Sequence, residues 1–348
     1  MKIENNKPIE LFPFYVDFAI TYGCNARCQH CSINADFNAF GNSGDMDFKM
    51  ICSIIDQLKN MGVVFIGLTG GEAITRVDIL DIIDYCVNSN ILVALATNAI
   101  ALNEEVLQNL IQHRLNSIFI SLDHYDRNIH NKIRGNSDAY DAAINGIELC
   151  VKNNFPVTVG ITPMRDNYQD LGEIIDFIVD RDVKVVNVSN YVATGRGSQS
   201  LDLLPMEWKC VYEQVKNRME KYTDKVRIQV HDVKMPLLMP ELEPKSLGEY
   251  KGCLAGYSHC YILPNGDVHP CVMLPIKLGN LQEEKLSDIL IKYQRDGNVI
   301  DKNKLSGRCG DCNLKNSCGG CRANAYAYYN DALGQDPHCW LCSGKSHD

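Results

Sequence analysis

Through the first two thirds of the chain, short apolar runs alternate with longer amphipathic stretches, and this alternation leaves few folds open. Runs at Tyr15–Thr21, Val63–Thr69, Ile91–Thr97, Ser117–Asp123, Pro156–Ile161 and Val183–Ser189 predict strands. Between them Phe48–Asn60, Val77–Asn88, Glu104–His113, Ala139–Asn153 and Tyr168–Asp180 predict helices, and Met206–Tyr222 adds one more after the last. Six βα units predict an α/β fold with a parallel sheet, curved into a partial (β/α)6 TIM-like barrel. In such folds chemistry gathers at the C-terminal ends of the strands. The loops there are the unusual part of this sequence.

Cysteine supplies the second constraint. Of 16 cysteines in 348 residues, three fall within eight positions (Cys24, Cys28, Cys31) and nine lie beyond residue 250. Cys52, Cys86, Cys150 and Cys210 are scattered in helical patterns beside apolar neighbours, where a thiol packs as a small hydrophobe. After the Pro-containing stretch 234–244 the periodicity fades and turns and cysteines take over. A segment of that kind builds no large apolar core and is more readily held by metal sites. The expected organisation is an N-terminal segment 1–14, a barrel 15–234 and a small cysteine-rich domain 235–348.

The formal charge of −9 with no basic block argues against nucleic acid or an anionic membrane as a general partner. Met1 to Glu10 lacks the apolar core of a secretory signal, and no run approaches the ~18 apolar residues of a membrane span. A cytoplasmic, reducing location follows as the expectation, and there clustered thiols suggest metal or catalysis more than disulfides.

Directly after the first strand, Cys24, Cys28 and Cys31 form a C-x3-C-x2-C loop. Three thiolates at this spacing can hold three irons of a [4Fe–4S] cube and leave the fourth without a protein ligand. A zinc knuckle completed by His30 is the bland alternative. The second strand ends in Gly70-Gly71-Glu72, the third in Thr97-Asn98-Ala99, and the fourth in Ser121-Leu122-Asp123, with Arg134-Gly135 following.

The cysteine loop and these strand ends together resemble the radical SAM superfamily. The resemblance implies that S-adenosylmethionine chelates the open iron through its amino and carboxylate groups. One electron then splits the sulfonium, and the resulting 5′-deoxyadenosyl radical takes a hydrogen from substrate. By the same likeness Gly70, Gly71 and Glu72 form the strand end that binds the methionine amino group, with Ala73 in place of the usual proline. Thr97, Asn98 and Asp123 belong to the same set of cofactor loops. Ser121 and Arg134 would contact the methionine or ribose part, and His30 holds the place of an aromatic residue set against the adenine. Thr162, Asn187, Ser189 and Arg196 lie where further groups would be expected, though each alone reads as structural.

The C-terminal cysteines run Cys253-x6-Cys260-x10-Cys271, then Cys309-x2-Cys312-x5-Cys318-x2-Cys321, then Cys339 and Cys342. Asn265-Gly266 would turn a hairpin back to Cys271. A four-cysteine zinc ribbon is the alternative for Cys309 to Cys321. This region is similar to the SPASM extension, which carries two auxiliary [4Fe–4S] clusters. The likeness would assign Cys253, Cys260, Cys271 and Cys321 to the first cluster and Cys309, Cys312, Cys318 and Cys339 to the second. Cys342 could replace Cys339, or Cys260 could be absent from the first set.

The expected activity is that of a radical SAM enzyme. Sulfatase-maturing members place an Asp after the third cysteine of the extension, where this chain has Val272, so that route is disfavoured. The leading reading is modification of a ribosomally made peptide, by cross-linking or other C–H functionalisation. Only about 14 residues precede the first strand, which leaves no room for a leader-binding domain of ~80 residues such as many peptide maturases carry, so the peptide would be held by the barrel, the extension or a separate leader-binding partner. The alternative is haem-type tetrapyrrole or other small-molecule chemistry. A flavodoxin or ferredoxin would supply electrons in either case. An iron–sulfur electron-transfer protein is the non-enzyme reading, against which the separate cofactor-type loops at the strand ends count.

Overall fold

The computed structural model describes residues 14–39, 44–238, 252–296 and 301–342. Its barrel strands are β1 (Tyr15–Ala19), β2 (Phe65–Thr69), β3 (Leu92–Thr97), β4 (Ser117–Ser121), β5 (Val157–Ile161), β6 (Val185–Ser189) and β7 (Arg227–His231). All pair in parallel with their neighbours in chain order. The helices between them are α1 (Phe48–Asn60), α2 (Ile79–Asn88), α3 (Glu104–Gln112), α4 (Arg127–Arg134), α5 (Ala139–Lys152), α6 (Leu171–Val179) and α7 (Pro205–Lys221). The six expected βα units are present, and β7 adds a seventh parallel strand that the sequence reading did not include.

Period-2 and period-3.6 patterning meet in one core. Val16, Phe18, Ile66, Leu68, Val93 and Leu95 project from alternate strand positions onto Ile51, Ile54, Ile55 and Leu58 of α1 and Ile82, Ile83 and Cys86 of α2. Burying each such aliphatic side chain contributes about 1.5–3 kcal/mol. Asp47 caps α1, its carboxylate accepting from the Met50 N–H at 2.8 Å. Cys86 and Cys150 lie in this core as expected. Cys52 is half-buried and Cys210 is exposed, so core packing does not hold for Cys210.

Helix α4 fixes where the site can form. Asp126 caps its start, and Gly135 ends it in the left-handed conformation at φ 61°. A Cβ on Gly135 would lie 2.4 Å from the Arg27 carbonyl oxygen, so the helix end presses directly on the cysteine loop.

The C-terminal region extends the same sheet. β8 (His259–Ile262) runs parallel to β1, and β9 (Asp267–His269) and β10 (Gly279–Asn280) continue antiparallel. Gly266 turns the β8–β9 hairpin at φ 84°, as the Asn-Gly pair predicts. The sheet order β10-β9-β8-β1-β2-β3-β4-β5-β6-β7 leaves an open barrel with β7 and β10 at its edges. Beyond it lie α8 (Leu286–Asp296), α9 (Gly307–Gly310) and α10 (Arg322–Tyr329).

Candidate active site

Cys24, Cys28 and Cys31 pack around Ala26 and Ala35 at the C-terminal end of β1, and none is in a disulfide. Each sulfur faces a donor. The Ala26 N–H points at Cys24 Sγ and the Ala35 N–H at Cys31 Sγ, both at 3.4 Å. Asn98 Nδ2 lies 3.9 Å from Cys24 Sγ, and Arg134 Nη1 3.9 Å from Cys28 Sγ. Donors aimed at sulfur favour thiolates and tune any cluster they hold. Burial pushes the Cys24 thiol up to about 12, so its proton leaves only when a metal takes its place.

The loop is clamped from three sides. From α4, the Ile133 and Arg134 carbonyls accept the Gln29 and Arg27 N–H groups at 2.9 and 3.1 Å. From the end of β2, the Gly71 and Glu72 N–H groups donate to the Thr21 and Gly23 carbonyls at 2.7 and 2.8 Å. From the loop after β6, Arg196 donates through its backbone to Cys31 O (2.9 Å) and through its guanidinium to Cys28 O (3.0 Å) and Ala35 O (2.6 Å). Arg196 thus holds the loop itself.

Glu72 is buried beside this loop. Its Oε2 accepts from the Asn98 N–H at 2.8 Å, while Oε1 has no partner. Burial pushes its carboxyl up to about 7. An orphaned acceptor near Cys24 fits a ligand that brings an ammonium group. Thr97 Oγ1 accepts from Ala99 N–H at 2.9 Å. Ala99 takes φ 64°, the left-handed region where glycine is at ease and alanine costs about 1–2 kcal/mol.

Asp123 and Arg134 meet each other, with Asp123 Oδ2 2.8 Å from Arg134 Nε and both side chains buried. Asp123 also accepts the Thr162 N–H at 3.0 Å, and its backbone N–H donates to His130 Nδ1 at 3.1 Å. His30 stands among Asp123, Arg134 and Arg196; burial pushes it down to about 4 and its Nδ1 has no partner. Ser121 ends β4 half-buried, opposite Gly160 of β5. The structure therefore gathers His30, Glu72, Thr97, Asn98, Asp123 and Arg134 around the three cysteines.

In the extension, Cys309, Cys312, Cys318 and Cys339 wall one cavity together with Lys234 and Lys315. This is the set expected for the second auxiliary cluster. Among the described residues no three or more His, Cys, Asp or Glu side chains converge to hold a single metal ion. Four cysteines around one cavity agree with the four-thiolate set that the SPASM likeness implies. Cys253 lies within electrostatic reach of Cys271 and of Cys321, and Asn190 Nδ2 lies 3.5 Å from Cys321 Sγ. Cys260 stands opposite Val16 in register and packs into the main core. The side chain of Cys342 lies outside the described residues.

Sequence reading missed the buried charges beside these cysteines: Asp202, Lys234, Arg322, Asp336 and His338. Arg322, Asp336 and His338 sit inside the cysteine-rich segment while Asp202 and Lys234 precede it, and charge in either place reads equally well as solvated surface.

The sequence profile of the radical SAM superfamily matches residues 18–178, and that of SPASM, an iron–sulfur cluster-binding domain, matches residues 253–313. The chain carries a radical SAM domain and a SPASM iron–sulfur cluster-binding domain, and these imply [4Fe–4S] clusters and S-adenosylmethionine as its cofactors. It is 28% identical over 347 residues to the AdoMet-dependent heme synthase of Methanosarcina barkeri, covering 96% of this chain and 98% of that protein. The AdoMet-dependent heme synthase of Nitratidesulfovibrio vulgaris is 24% identical, over 95% and 92%. Among solved structures, Streptococcus suis SuiB bound to S-adenosylmethionine superposes with TM-score 0.77 at 21% identity, covering 95% of this chain and 78% of that one. The enzyme anSMEcpe with bound AdoMet gives TM-score 0.73 at 17% identity, covering 94% of each chain. Both structural likenesses speak for the fold. No helix among the described residues is long and apolar enough to cross a membrane.

Proposed function

We propose that this radical SAM enzyme acts on a haem-type tetrapyrrole. The observation that carries the reading is the end-to-end likeness to AdoMet-dependent heme synthases, which spans barrel and extension alike. The sequence alone ranked peptide modification first, and the whole-length relatives favour the second branch. Val272 after Cys271 agrees, since a carboxylate there would have marked the sulfatase-maturing route.

In this reading Cys24, Cys28 and Cys31 hold the cluster whose open iron takes S-adenosylmethionine, and the bound pair supplies a 5′-deoxyadenosyl radical on receipt of one electron. Gly70, Gly71, Glu72, Thr97, Asn98, Ser121, Asp123, Arg134 and His30 bind and orient the cofactor. Glu72 Oε1 offers the acceptor for its amino group. Cys253, Cys271 and Cys321 hold one auxiliary cluster, and Cys260, the fourth by the family pattern, packs beside Val16 in the main core and leaves that set at three. Cys309, Cys312, Cys318 and Cys339 hold the other. A flavodoxin or ferredoxin delivers the electron.

The test is anaerobic turnover of the reconstituted protein with S-adenosylmethionine and reductant. A propionate-bearing iron porphyrin is offered in one vessel and a cysteine-containing peptide in another, with products read by mass spectrometry. Conversion of the porphyrin supports the proposal. A modified peptide beside untouched porphyrin replaces it with the peptide reading.

A further inference from the structure

Lys234 is a fully buried ammonium just past the C-terminal end of β7, and the reaction at the three-cysteine loop has no use for it. Its Nζ lies 3.0 Å from Asp232 Oδ2 and 3.1 Å from Asp336 Oδ2, with all three side chains at most 1% exposed. Burying such a triad is expensive unless its geometry is well satisfied, so its location calls for a reason.

That location is the wall between the two auxiliary ligand sets. Asp336 Oδ2 accepts the backbone N–H of Cys321 at 2.7 Å, while the backbone N–H of Asp336 points at Cys309 Sγ at 3.3 Å. Cys321 belongs to the first set and Cys309 to the second. Lys234 lines the cavity walled by Cys309, Cys312, Cys318 and Cys339, and its charge also bears on Cys321. A second buried cation shares the wall. Arg322 Nη2 lies 3.8 Å from Cys309 Sγ, and its guanidinium is fixed by the carbonyls of Gly320, Ala332 and Gly334 at 3.2, 2.9 and 2.7 Å. Gly320 leaves room for this approach, since a Cβ there would stand 2.7 Å from Arg322 Nη2 and 3.1 Å from Cys309 Sγ.

A cube held by four thiolates is anionic, and reduction adds another negative charge. Nearby net charge and hydrogen bonds to sulfur are therefore levers on its potential. We propose that Lys234 is an electrostatic positioning residue for the auxiliary centres: its ammonium, fixed between the two ligand sets, raises their reduction potentials by stabilising the reduced, more negative states. This rests on the two-cluster reading of the extension. Asp232 and Asp336 oppose it, because both carboxylates sit on the same ammonium; the triad carries a net charge of −1, and Lys234 halves the negative charge the clusters would otherwise feel. Tyr212, also against Asp232, is neutral.

The test compares K234M, K234R and D232N with the wild type as anaerobically reconstituted holoproteins, by iron analysis and by redox titration of the auxiliary EPR signals. K234M is expected to keep its auxiliary iron and shift the midpoint downward. At the potential that half-reduces the wild-type centres, its reduced-to-oxidised ratio falls about tenfold, equivalent to about 59 mV for one electron. D232N is expected to shift the midpoint upward, and K234R to stay near the wild type. Should K234M fail to load iron, the direction of the D232N shift decides. Unchanged midpoints in loaded K234M and D232N would overturn the proposal. So would loss of auxiliary iron from all three variants, which would give Lys234 a structural role. Failure of the two-cluster reading is told apart by the wild type alone, which would then hold fewer than about eight irons beyond those of the three-cysteine loop.

Discussion

Asp202 Oδ2 accepts a hydrogen bond from His338 Nε2 at 2.9 Å, with both side chains buried, and this contact ties the barrel to the cysteine-rich extension. Asn324 Nδ2 donates to His338 Nδ1 at 2.8 Å, which leaves the ring proton on Nε2 to face the carboxylate. Asp202 also accepts from Tyr328 OH at 2.8 Å, from Trp208 Nε1 at 3.3 Å and from its neighbour Leu203 N–H at 2.7 Å. Of the three side-chain donors, His338 and Tyr328 belong to the extension and Trp208 to α7. The Asp202→Ala variant strands two buried side-chain donors, His338 and Trp208, at about 1–3 kcal/mol each, and the half-buried Tyr328 hydroxyl. It is expected to lower the free energy of unfolding by a few kcal/mol and to release auxiliary iron ahead of the iron at the three-cysteine loop. Equal loss from both regions would show that this contact does not hold the extension in place.

Gly71 makes room for the cysteine loop. A Cβ there would lie 2.0 Å from the Gly23 carbonyl oxygen, a backbone atom that cannot swing aside. The Gly71→Ala variant should therefore displace the residues just before Cys24. Iron analysis should show about four irons fewer per chain, with the auxiliary iron retained. Full iron content would mean that the loop tolerates the shift.

His130 carries a pH dependence. Burial, then the nearby Arg134 charge, holds its pKa down from 6.5 to about 4, and its Nδ1 must stay unprotonated to accept the Asp123 N–H. A histidine depressed in the folded state binds its proton more readily when unfolded, so stability rises with pH across the interval. The contribution, about 3 kcal/mol, is complete above pH 6.5 and is lost as pH falls from 6.5 towards 4. The His130→Asn variant keeps an acceptor near the same place without a titrating ring. Its stability, measured by denaturant unfolding, should be flatter over that interval than the wild type's. An unchanged slope would assign the acid sensitivity to other groups.

Much of the barrel was legible because its signals are local. Alternation placed six strands, and α1 runs over Phe48–Asn60 as the pattern predicts. Helix α4 was missed: its sequence, Arg127-Asn-Ile-His-Asn-Lys-Ile-Arg134, is mostly polar, and its buried face rests on His130, Ile133 and Arg134, with only one of the three an aliphatic residue. Strand β7 was missed because Arg227–His231 sits at a sheet edge, where a strand needs little apolar content. At the site, cysteine spacing and strand-end motifs marked the groups meant for cofactors. What holds those groups in place was illegible, because contacts such as Arg196 to Cys28 O and Asp336 to Cys321 N–H join positions 168 and 15 residues apart through backbone atoms that carry no side-chain signature.

The most direct test is anaerobic incubation of the iron-loaded protein with S-adenosylmethionine and dithionite, followed by chromatography for 5′-deoxyadenosine, with the combined Cys24→Ala, Cys28→Ala and Cys31→Ala variant alongside. The wild type is expected to form 5′-deoxyadenosine and methionine in equal amounts. The variant should form neither while keeping its auxiliary iron. Intact S-adenosylmethionine with the fully loaded wild type, or cleavage that persists in the variant, would contradict the assignment of the radical source to this loop.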